Sequence, residues 1–144
     1  MQYRNVSFEE DSEVNDELLE RRLDLIRQAI VGLVRRDGPD LTARQLAVLL
    51  TTYLEGDAQT VRGLAAQLHV AKPAITRALD RLAEFDLVRR KQDPLDRRSI
   101  LVQRTTAGVG FLRELSQTVV DRGVQASSVI QYGSRATHAQ HTKT

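Results

Sequence analysis

The stretch Thr60–Arg104, TVRGLAAQLHVAKPAITRALDRLAEFDLVRRKQDPLDRRSILVQR, changes periodicity once, and that change decides the fold. In its first half, Thr60 suits an N-cap, and Val61, Leu64, Ala65 and Leu68 recur at helical spacing, which predicts a short amphipathic helix ending near His69. Pro73 is tolerated only in the first turn of a helix, where its missing N–H would have had no partner, so a second helix begins at about Ala71 or Lys72. Ile75, Ala78, Leu79, Leu82 and Phe85 form its inward stripe; Lys72, Pro73, Thr76, Arg77, Asp80 and Arg81 face outward. Helix, tight turn and second helix with a polar outer face make a helix-turn-helix.

Beyond Phe85 the period becomes two. Residues 87–92 and 99–104 read as strands, and Asp93-Pro94-Leu95-Asp96-Arg97-Arg98 between them is turn chemistry with a doubly basic end. A hairpin in this position is a wing. Residues 60–104 contain ten Lys and Arg against five Asp and Glu, a net +5, whereas residues 1–40 contain six against ten, a net −4. The overall +2 therefore hides a basic centre, the electrostatic footprint of phosphate binding.

The run from Leu64 to Gly108 closely resembles the winged helix-turn-helix of MarR-type (multiple antibiotic resistance) transcriptional regulators. The resemblance rests on Leu64-Ala65, Lys72-Pro73, Arg77, Asp80-Arg81-Leu82, Asp93-Pro94, Asp96-Arg97-Arg98, and Thr105 with Gly108. It implies a dimeric, mainly α protein with a small β wing, its flanking N- and C-terminal helices forming the dimer interface. It further implies a repressor or activator on double-stranded DNA with a pseudo-palindromic operator, often released by a small-molecule effector. The chain departs from that family at Ala71, where relatives often carry a capping Ser; alanine offers no side-chain acceptor to the first turn.

On this reading Thr76 and Arg77 meet base edges, since they sit early on the recognition helix and Arg pairs bidentately with guanine. Lys72 and Arg81 meet phosphates, Pro73 opens the helix beside them, and Arg89 and Arg90 extend the basic face along the wing. Arg97 or Arg98 enters the minor groove with Asp96 orienting it through a salt bridge; the sequence leaves the two arginines equivalent. A winged helix used for protein contact is the alternative, and it calls for exposed apolar anchors where Lys72, Thr76, Arg77 and Arg81 stand.

Outward from this core, residues 1–14 read as a mobile acidic arm, and Asn15 or Asp16 caps a helix to about Arg36 within the segment 15–40. Leu18, Leu19, Leu23, Leu25, Ile26, Ala29, Ile30, Leu33 and Val34 occupy about half of its circumference, wider than the roughly 100° arc that one core needs. A helix that apolar meets two surfaces, its own domain and a second subunit, or else lies between two elements of one chain. Asp37-Gly38-Pro39-Asp40 is a turn, and Thr42 with Gln45 signals a capping box for a support helix bearing Leu46, Leu49, Leu50, Tyr53 and Leu54. Tyr53 reads as core, with a ligand pocket as the alternative. The winged region is placed at 41–104, with Gln59-Thr60 as a short third strand. A C-terminal dimerisation helix is placed at 105–132, capped by Thr105 and weakened by Gly108, Gly110 and Gly123, and a polar tail at 133–144.

The chain has 144 residues, 41% apolar and 28% charged, with no cysteine, so disulfides and thiolate metal sites are excluded. His69, His138 and His141 are scattered; His138 and His141, three apart, could touch a metal if helical, but they lie in a polar tail and read as solvated. No Gly-rich phosphate loop, ligand cluster or nucleophile with a neighbouring base points to an enzyme, a metal or a cofactor, and Asp93 with Asp96 reads as wing-turn chemistry. The longest apolar run, Leu46–Leu50, is far short of a membrane span, and the N-terminus lacks a signal-peptide core, so a cytoplasmic location is expected.

Overall fold

The computed structural model describes residues 8–121, with side chains from Asn15 onward. Among the described residues five helices and three strands follow in the order α1 (Phe8–Arg35), α2 (Ala43–Leu54), β1 (Gln59–Thr60), α3 (Val61–Leu68), α4 (Lys72–Glu84), β2 (Val88–Gln92), β3 (Ile100–Arg104) and α5 (Thr106–Thr118). The described residues fall into two compact units, Val34–Ser116 and residues 8–33 with 117–121.

Within Val34–Ser116 the core is built from the stripes read in the sequence. Val48 and Leu49 of α2, Leu64 of α3, Ile75, Leu79 and Leu82 of α4 and Val88 of β2 are fully enclosed. Full burial of such side chains stabilises by about 1.5–3 kcal/mol each. Thr42 and Gln45 form the expected capping box, the Gln45 N–H donating to the Thr42 hydroxyl and the Thr42 N–H to the Gln45 side-chain carbonyl. Thr60 caps α3, accepting the Gly63 N–H at 2.9 Å. His69, in the left-handed conformation at φ 54°, closes α3 and reverses the chain into Ala71. Ala71 is the α4 N-cap and makes no side-chain capping bond.

The sheet is antiparallel with order β1-β3-β2, so the short third strand forms as expected and pairs Gln59 with Val102 and Thr60 with Leu101. Tyr53 locks the wing base to α2. Its hydroxyl donates to the Leu87 carbonyl at 2.7 Å and accepts the Thr105 N–H at 2.8 Å. Gly108 is required there, because a Cβ at that position would overlap the Tyr53 hydroxyl and the Leu87 carbonyl. Arg104 closes α2, donating to the Thr52 carbonyl at 2.9 Å and the Glu55 carbonyl at 2.7 Å.

Two boundaries differ from the sequence reading. The first helix begins at Phe8 and runs through Asn15 and Asp16 instead of being capped there. Helix α5 ends at Thr118 and Val119–Asp121 are not helical, so the helix expected over 105–132 is interrupted there. Thr118-Val119-Val120 is a β-branched run that favours extended backbone. The Gln28 side-chain amide then takes both main-chain groups of Val120, accepting its N–H at 2.7 Å and donating to its carbonyl at 2.9 Å. Arg21 reinforces this with a two-pronged ion pair to Asp121, and a Cβ at Gly32 would overlap the Thr118 hydroxyl. The expectations for Gly123, for the helix beyond 121, for the tail and for His138 and His141 lie outside the described residues.

Candidate nucleic-acid interface

Helix α4 divides its residues as its periodicity demands. Ala74, Ile75, Ala78, Leu79 and Leu82 are buried, while Lys72, Pro73, Arg77, Asp80 and Arg81 are exposed and Thr76 is half-buried. The Thr76 hydroxyl donates to the Lys72 carbonyl at 3.1 Å, which leaves its oxygen outward as an acceptor.

The wing is a five-pair antiparallel ladder from Val88 opposite Arg104 to Gln92 opposite Ile100. Its turn is held by its own aspartates. Asp93 accepts the Leu95 N–H at 2.8 Å, Asp96 accepts the Arg98 N–H at 3.0 Å, and the Gln92 amide donates to the Arg97 carbonyl at 2.8 Å. The expected salt bridge from Asp96 to an arginine side chain is therefore replaced by a main-chain hydrogen bond, because the carboxylate is close enough to its own turn to close it first.

The basic residues named from the sequence separate into two groups. Arg81 pairs with Glu84 at 2.6 Å and lies over the Phe85 ring, Arg89 pairs with Asp86 at 3.2 Å, and Arg90 reaches from β2 to Asp80 on α4 at 2.5 Å. Lys72, Arg77, Arg97 and Arg98 have no acidic partner among the described residues. Residues from α3, α4 and the wing line a cleft of about 320 Å³ that brings together Lys72, Thr76, Arg90, Asp96 and Arg98. Arg97 does not line it. Arg62, Thr60 and Ser99 do, and no pattern in the sequence gives them a site role. Among the described residues there is no metal-binding cluster and no helix long and apolar enough to cross a membrane.

A helix-turn-helix followed by a basic wing, with the free cations on its outer face, is a winged helix-turn-helix domain. Residues 41–100 match the MarR family. The chain is 33% identical over 75 residues to the HTH-type transcriptional regulator MhqR of Bacillus subtilis (strain 168), a match covering 52% of this chain and 51% of that protein. It thus spans about half the length of that curated relative. Among solved structures it resembles wild-type MarR (apo form) from E. coli at 29% identity, with a TM-score of 0.56 and coverage of 72% of this chain and 74% of that one. It shares its fold with a mutant of S. aureus MepR bound to an oligodeoxyribonucleotide, at 17% identity and a TM-score of 0.55, covering 95% of this chain and 87% of that one.

Proposed function

We propose that the protein is a sequence-specific transcriptional regulator that binds double-stranded DNA as a homodimer, with α4 in the major groove and the wing at the minor groove. The observation that carries this is the set of unpaired cations, Lys72, Arg77, Arg97 and Arg98, on the outer face of α4 and the wing turn. Arg77, exposed and free of acidic partners among the described residues, suits a bidentate contact with guanine, and the Thr76 oxygen suits a base amino group. Lys72 and Arg98 serve phosphates. Arg97, held on a fixed turn and outside the cleft, is the arginine that reaches the minor groove. Arg81 and Arg89 pair with acidic residues three positions away and Arg90 ties β2 to α4, so these three contribute to the field more than to direct contact.

Dimerisation is supported by α1, on which Leu19, Leu23, Ile26 and Ile30 are each more than half exposed at helical spacing. An apolar stripe of that length is an association surface. The family resemblance supports a pseudo-palindromic operator, a repressor in the cytoplasm, and release by a small molecule. One observation favours the protein-contact reading: Leu95 at the wing tip is 95% exposed. It stands alone among charged neighbours, whereas a protein-binding anchor needs a surrounding apolar patch. Repeated selection from random duplex DNA tests the proposal. Enrichment of an inverted repeat is the expected outcome, and a pool that stays random contradicts it.

A further inference from the structure

Arg62 is the second residue of α3, exposed, and without an acidic partner among the described residues. Its side chain lines the same cleft as Lys72 from α4 and Arg98 from the wing, so three free cations converge from three elements. Arg90 lines the cleft too, tied to Asp80, and the Asp96 carboxylate there is engaged by the Arg98 N–H. Thr76 and Ser99 add hydroxyl-bearing side chains.

Charge of this sign and density repels metal cations and offers little to an apolar ligand. At about 320 Å³ the cleft lies at the small end of ligand-sized sites, which span about 300–1,000 Å³. A compact anion with several acceptor oxygens matches it, and the guanidinium fork is suited to phosphate. We infer that the cleft is a seat for one phosphoryl group and that Arg62 is its α3-side ligand. With the DNA-binding reading as its basis, the occupant is a backbone phosphate; the same chemistry would also take a free phosphate ester.

Two measurements on the full chain separate these sources. In the first, affinity for a selected duplex is followed against salt. Arg62→Ala should lower the slope of log K against log salt by about 0.9 per protomer, about 1.8 for a dimer on two half-sites. Arg62→Lys should keep the slope, and Arg113→Ala on α5, outside the cleft, should leave it unchanged. In the second, inorganic phosphate is titrated at fixed ionic strength without DNA while the amide resonances of Thr60–Gly63 and Ser99 are observed. If the Arg62→Ala slope is normal but phosphate moves these resonances in the wild type and not in the variant, the seat stands and serves a free phosphate ester. If the slope is normal and phosphate moves nothing, the seat is overturned. A wild-type chain with no salt-dependent DNA binding would end the DNA reading, and the phosphate titration alone would then decide the seat.

Discussion

At the scale of single residues, the wing's attachment depends on one hydroxyl. Tyr53 satisfies the Leu87 carbonyl and the Thr105 N–H together, on the two chain segments that enter and leave the wing. Tyr53→Phe keeps the ring but leaves both main-chain groups without this partner, at a cost of about 1–3 kcal/mol for each group left buried and unsatisfied. Urea unfolding should show the midpoint falling with little change in slope; an unchanged midpoint would mean that water replaces the hydroxyl. The residue scale is also where the sequence is least legible. The outward residues of α4 follow from a 3.6-residue period, but partners such as Asp80 for Arg90 join residues ten apart in sequence on different elements. No periodicity announces them. Arg62 escapes notice for the same reason, since the pattern of α3 announces only its buried stripe and its cap.

Among the elements, α4 carries a visible defect. Ala71 occupies an N-cap in extended conformation, φ −66° and ψ 145°, the geometry in which a serine hydroxyl would accept an N–H from the first turn. Ala71→Ser should therefore raise stability by about 0.5–2 kcal/mol, read as a higher thermal midpoint; a fall would show that the serine disturbs the turn after His69. The absent cap is legible because capping is local chemistry. The end of α5 is not, because it depends on the Gln28 amide, 92 positions from Val120 in the chain, taking over the main-chain bonds there. The capping box of α2, the third strand at Gln59-Thr60 and the wing ladder are legible, each being written in a few adjacent residues.

For the whole molecule, the exposed stripe on α1 asks for a partner. Four large apolar side chains, each about half exposed, forgo roughly half of the about 1.5–3 kcal/mol that full burial of each would bring, and a second copy of the chain presents an identical stripe. Light scattering at micromolar concentration should give twice the chain mass, and Leu23→Gln with Ile30→Gln should give the monomer while the α3–α4 domain stays folded. A wild-type monomer would contradict this role for α1. The central claim, that this surface reads DNA sequence, is tested most directly by salt-dependent fluorescence anisotropy on a selected duplex and its shuffled counterpart, with the wild type and Arg77→Ala. The account predicts tight binding to two half-sites about 10 base pairs apart and steep salt dependence. It also predicts that Arg77→Ala loses about 1–3 kcal/mol of discrimination at one position per half-site. Equal affinity of the wild type for selected and shuffled duplexes would contradict it.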